Sequence, residues 1–95
     1  MKKKLTHVMA DGRITTRETA RTYSHVVEVR LERHHPNNKS WFSADDRSLL
    51  PVDAEGFCGP FVWKWCGRAD LAAKEAASYN KCPGLKASAV AIQPA

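Results

Sequence analysis

Phe57–Asn80, FCGPFVWKWCGRADLAAKEAASYN, is the stretch whose reading decides the fold. It runs as an aromatic-rich strand that turns at Gly67 into an alanine-rich helix. Side chains alternate along Phe57–Cys66, which sets Phe61, Trp63 and Trp65 on one face. Cys58, Val62, Lys64 and Cys66 take the other face, and Gly59-Pro60 interrupts the early part. Three large rings on one side offer more area for burial than any other segment here. They form core, a stacking platform for bases, or an anchor for a protein partner.

The helix is predicted over Arg68–Lys81. At 3.6 residues per turn, Ala69, Ala72, Ala73, Ala76, Ala77 and Tyr79 fall on one arc, with Asp70, Lys74, Glu75 and Ser78 opposite. Gly67 is the expected N-cap, and Pro83-Gly84 is the stop. Asp70 complements the positive end of the helix dipole and Lys81 the negative end. Small alanines facing the indoles predict an interdigitated helix–sheet layer. Leu71 falls off the apolar arc, which makes it the helix residue free to meet a partner.

With 95 residues the chain reads as one domain, 1–95, with a basic N-terminal tail at 1–4 and a long irregular loop region at 34–56. No apolar run approaches the roughly 20 residues that span a bilayer. Met1-Lys2-Lys3-Lys4 resembles the opening of a signal peptide, but LTHVMADGR follows and supplies no hydrophobic region. Three cysteines, Cys58, Cys66 and Cys82, suit a reducing compartment better than a disulfide framework, so a cytoplasmic location is expected. The net charge of +5 favours acidic partners such as nucleic acid, a ribonucleoprotein or an acidic protein surface, and disfavours a DNA mimic.

Leu5–Ala10, Asp11-Gly12 and Arg13–Thr16 read as a hairpin on a two-residue type I′ turn, with Met9 opposite Ile14 and His7 opposite Thr16. Thr16–Thr22 is polar and reads as a connection. Tyr23–Arg33 is the clearest strand. Tyr23, His25, Val27, Val29 and Leu31 share the packed face, while Ser24, Glu28, Arg30 and Glu32, with Val26, face water. His25, on the packed side, is expected to be satisfied by a nearby hydroxyl or carbonyl. Pro36 closes this strand, Trp41-Phe42-Ser43 reads as a short strand, and one helical turn is expected before Pro51. Lys86–Gln93 reads as a final strand, with Val90 and Ile92 pairing into the centre of the sheet.

Candidate chemistry is sparse. Cysteines 58, 66 and 82 with His34 or His35 lack the close pair that structural zinc sites contain. Nothing in the sequence sets a cysteine beside a histidine for nucleophilic catalysis. Asp45-Asp46 are adjacent carboxylates on a loop, which repel rather than share a proton. No enzyme, cofactor or metal is expected. Arg30, Arg33, His34, His35, Lys39 and Arg47 cluster in sequence around Trp41 and Phe42, a mixture that suits single-stranded backbones and bases.

The pattern RTYSHVVEV (Arg21–Val29), followed by WKWCGRADLAAKEA (Trp63–Ala76) and a short terminal strand, resembles small uncharacterised proteins of phages and mobile elements. In size and build the chain also resembles phage-encoded anti-CRISPR proteins, a group with no shared signature. That resemblance implies a stoichiometric inhibitor in the host cytoplasm that occupies a surface of a Cas protein or an RNA-guided complex. The basic charge departs from the acidic, DNA-imitating members of that group. It fits members that dock on RNA-containing surfaces.

The expectation is therefore an α+β domain, with an antiparallel sheet of four to five strands and one helix packed on one face (β-β-β-β-α-β). Function is expected to be non-enzymatic binding to a host protein or ribonucleoprotein complex, as a phage-encoded inhibitor of host defence. The alternative is a small basic nucleic-acid-binding accessory protein. Partner-binding residues are expected at Arg30, Arg33, Lys39, Trp41, Arg47, Lys64 and Arg68. Whether exposed strand edges pair in a homodimer is left open by the sequence, and no membrane partner is expected.

Overall fold

In the computed structural model, residues 2–43 and 45–94 are described, Asp45 by its backbone alone. The expectation for the Asp45 carboxylate lies outside the described residues. Five strands form two antiparallel sheets, with one main helix. A hairpin pairs β1 (Lys3–Val8) with β2 (Ile14–Thr19). The second sheet has the order β4-β3-β5, with β3 (His25–Glu32) between β4 (Phe57–Cys66) and β5 (Leu85–Ala91). Helix α1 (Asp45–Ser48) is the short turn expected before Pro51, and α2 (Ala69–Asn80) is the main helix. No described helix is long and apolar enough to cross a membrane.

The single expected sheet is thus divided, and the hairpin lies apart from the strands that carry the helix. Its register also differs by one residue, since Val8 faces Ile14 and His7 faces Thr15. Gly12 adopts φ +90° while no described non-glycine residue has positive φ, so Asp11 cannot supply the first half of a type I′ turn. Instead Gly12 N–H closes a turn on Met9 O at 2.9 Å, and Met9 N–H bonds Arg13 O at 2.8 Å, giving a three-residue loop. Strand pairing reaches Thr19, which absorbs part of the expected connection. Lys3 and Lys4 face Thr19 and Glu18 in β1 instead of forming a tail.

The expected one-sided packing of the third strand is corrected. Val26, Val27, Glu28, Val29 and Leu31 are all buried, as in a strand covered on both faces. Val27 and Val29 meet Ala72 and Ala76 of α2, with Cys66, Tyr79, Leu85 and Ala87 completing that layer. Each fully buried valine contributes about 1.5–3 kcal/mol.

On the opposite face, Glu28 meets the hairpin. Its Oε2 lies 2.8 Å from His7 Nε2, and its Oε1 accepts the Ala10 N–H at 3.2 Å. Gln93 N–H donates to His7 Nδ1 at 3.0 Å. That ring nitrogen therefore accepts, the ring proton sits on Nε2, and His7 donates to the carboxylate. Backbone pairing of Val8 N–H with Gln93 O at 2.8 Å adds to this attachment.

The expected alanine–indole layer does not form. A register shift between Val27 and Glu28 leaves Trp63 as the extra residue of a bulge in β4, an edge strand of the sheet. Trp63 stays 37% exposed against Tyr79, Trp65 is half-buried beside Tyr23, and the buried alanines pack on valines instead. Helix α2 begins after Arg68, not Gly67, with no side-chain cap. Leu71 is exposed, as its position off the arc implied.

Replacing His7 by Ala leaves a buried carboxylate with a single backbone donor. The expected loss is about 3 kcal/mol, read as a lower urea midpoint. A change within 0.5 kcal/mol, the range of an ordinary surface substitution, would show that the pair does not hold the hairpin down.

Candidate nucleic-acid interface

The loop after β3 is built by local hydrogen bonds and one buried amide. Pro36 opens a 3-10 turn, Pro36–Asn38, whose preceding His35 accepts the Asn37 N–H on Nδ1 at 3.1 Å. Asn38 is buried, and its Nδ2 donates to Glu32 O at 2.9 Å and Gly84 O at 3.1 Å, tying the loop to β3 and to the start of β5. Asn38 O in turn accepts the Trp41 and Phe42 N–H groups at 3.0 and 3.2 Å. Trp41 and Phe42 thus lie in a turn, and the short strand expected over residues 41–43 does not form.

This loop shapes a groove of about 630 Å³ lined by Arg33, His34, His35, Lys39, Phe42 and their neighbours. Among the described residues, no carboxylate lines it. Arg33 spends one guanidinium nitrogen on Leu50 O at 3.0 Å. Among the described residues, the Lys39 ammonium and the His34 ring have no side-chain partner. With Nδ1 of His35 accepting, its Nε2 carries the ring proton as a donor. Four nitrogen-bearing side chains thus surround one half-buried phenyl ring.

Of the expected partner-binding residues, Arg33 and Lys39 come together in this groove. Arg47 lies over the Trp41 ring at 5.1 Å and also donates to Trp41 O, so each occupies the other. Trp41 is further packed by Phe42 and Phe61, with centroids 4.8 and 5.0 Å away. Arg30, Lys64 and Arg68 are not in the groove lining. Arg30 pairs with Asp53 at 3.2 Å, Lys64 with Glu75 at 3.8 Å, and Arg68 with Asp70 at 3.3 Å. Asp53 also accepts the Phe57 and Glu55 N–H groups; these bonds, with Arg30 and Lys86 nearby, hold its carboxyl below the ordinary aspartate range.

A second cleft, about 480 Å³, lies between the hairpin and the sheet and was not foreseen from the sequence. Its charges are already matched, with Arg30 on Asp53, Lys86 on Glu55 and Glu28 on His7. Strand register sets His25 opposite Cys66, a neighbour relation the sequence did not reveal. Burial raises the Cys66 thiol pKa and Glu75 adds to that rise, the reverse of what a nucleophile needs. His25 shares a 2.7 Å contact with the Ser24 hydroxyl. No group of three or more His, Cys, Asp or Glu side chains among the described residues is placed to hold a metal.

Comparison with protein-family models, with curated proteins and with solved structures found no match to this chain. The reading of the site therefore rests on its own geometry.

Gly84 and Gly12 both have positive φ, +88° and +90°, but only Gly84 is crowded: an added Cβ would lie 2.8 Å from the His35 ring and 2.9 Å from Asn38 Nδ2. Both alanine substitutions carry the left-handed backbone penalty of about 1–2 kcal/mol. Gly84→Ala is expected to cost more than Gly12→Ala in thermal unfolding, and it alone should shift the His35 ring resonances. Equal effects would mean that the loop is not braced at this point.

Proposed function

We infer that the protein acts by binding, without turnover, and that its working surface is the basic groove formed by Arg33, His34, His35 and Lys39. The partner it suits is the phosphate backbone of a nucleic acid, free or within a ribonucleoprotein. One observation carries this reading: the groove gathers cationic and neutral N–H donors, and among the described residues no carboxylate lines it. Guanidinium and ammonium groups that lack an internal partner are the ones available to displace counterions from phosphates. Lys39 is the cleanest test, because its side chain holds nothing else in place. Lys39→Glu should weaken binding of an oligonucleotide at low salt for every sequence alike, and should lower the salt slope by about 0.7 for a single strand. Unchanged affinity and slope would remove the groove from consideration.

A second reading, a phage-encoded inhibitor that occupies a surface of a host defence complex such as CRISPR machinery, draws on a different feature. Leu49 is 81% exposed and Val52 42% exposed, on the segment that follows α1. An exposed leucine beside arginines suits an anchor at a protein interface. On this reading, Leu49→Asp abolishes inhibition of an RNA-guided nuclease in a cleavage assay and leaves oligonucleotide binding intact. Absence of inhibition by the unaltered protein across the nuclease types of its host would eliminate it.

A further inference from the structure

We propose that the recess on the other side of the Pro36–Asn38 turn is a nucleobase subsite, and that the groove's partner is therefore single-stranded nucleic acid. The proposal rests on the phosphate-binding reading of the groove and adds to it a second chemistry. The recess measures about 390 Å³ and is lined by Leu31, Asn37, Ser40, Trp41, Trp63 and Leu85, among others. The two recesses flank the same turn. One presents Lys39 and the other presents Asn37 and Ser40, from the same short run of chain.

Trp63 is the decisive residue. The bulge in β4 takes it out of the helix-facing core, yet Tyr79 braces its ring edge-on at 5.5 Å and 90°. It is thus a held indole with more than a third of its surface exposed. Held aromatic rings are the surfaces on which bases stack, because little ordering entropy remains to be lost on binding. Base edges also need donors and acceptors. The Asn37 amide and the Ser40 hydroxyl supply both, and neither side chain has a partner among the described residues.

Charge complementarity selects the occupant. A strand that lays phosphates along Arg33, His34, His35 and Lys39 would carry bases past the turn toward the indole. A duplex keeps its base faces stacked inside and could use only the basic side. An acidic peptide could satisfy the cations but has no planar ring for Trp63 as a regular feature of its chain.

The test uses the full chain at low salt with three phosphate probes of matched charge: an unstructured RNA oligomer, an RNA duplex with the same number of phosphates, and inorganic polyphosphate. Poly-glutamate of that charge serves as a polyanion control. The expected result is single-strand affinity about tenfold above the other two, the size of one base–aromatic stack. Trp63→Ala should abolish that preference and leave polyphosphate affinity unchanged, whereas Lys39→Glu should weaken all three. If Trp63→Ala unfolds, Trp63→Leu takes its place, keeping apolar volume without an aromatic face. Equal binding of all three probes, untouched by the Trp63 change, overturns the subsite and leaves the basic groove standing. Tighter binding of poly-glutamate than of the oligomer overturns it in favour of a protein partner. No binding of any probe overturns the groove reading itself.

Discussion

The constraint on which the architecture depends is a carboxylate set among the buried valines of the central strand. Glu28 sits between Val27 and Val29 on the central strand, and it is buried. A buried carboxylate without donors is expensive, and the cost falls only if donors reach it from other elements. Two do so here, His7 from β1 and the Ala10 backbone from the hairpin loop. The His7 ring is itself fully buried and is fixed by the Gln93 N–H beyond β5. Satisfying one oxygen pair therefore draws the first and last parts of the chain together. A two-stranded hairpin alone is marginal in water, so this polar contact, with Arg13 bonded to Pro60 O and lying over the Phe61 ring, gives the hairpin a fixed seat.

Much of this was legible in the sequence, and the failures have a common cause. The helix, its arrest near Pro83-Gly84, the long third strand and the final strand all follow from local periodicity and breakers, which act within a few residues. The hairpin was legible too, but its register was not. Asp11-Gly12 satisfies two turn types equally well on paper, both with positive φ at Gly12, and only the lack of positive φ at Asp11 distinguishes them. The larger error concerned Val26-Val27-Glu28-Val29. Alternation assigned Glu28 to water, yet Val26 on the same side breaks that alternation and is the signature of a strand covered on both faces. A lone acid inside such a run implies a buried partner. Which residue that partner is depends on a contact 21 positions away, beyond any local pattern. The tryptophans failed for a similar reason, since a one-residue bulge redirects a ring and leaves no mark in the spacing.

The edges of the three-stranded sheet show how the same fold limits indiscriminate pairing. Glu32 N–H bonds Gly84 O and Ile92 N–H bonds Ser24 O, which fixes the parity of the β3–β5 ladder. By that parity Ala87, Ala89 and Ala91 direct their backbone groups outward. Asn80, in the last turn of α2, returns its side chain to both groups of Ala87, at 2.9 and 2.8 Å. Gln93, the next outward residue after Ala91, is taken by His7 and Val8. The open edge of β5 is therefore short and bounded at both ends, a familiar defence against edge-to-edge association.

The candidate site teaches a different lesson about charge. Composition made every lysine and arginine near Trp41 equally eligible, but a cation already paired inside the fold has little left to offer a partner. Arg30, Lys64 and Arg68 each have a carboxylate, and Arg47 is committed to Trp41. Lys39 is left with its ammonium unclaimed among the described residues, with Arg33 only partly used. The net charge of +5 is a property of the whole chain, whereas recognition depends on where the uncompensated part collects. Part of it stands on a loop whose shape is set by the buried Asn38 amide, tied to Glu32 and Gly84. An amide that neither carries charge nor touches solvent thus decides where the free charge stands.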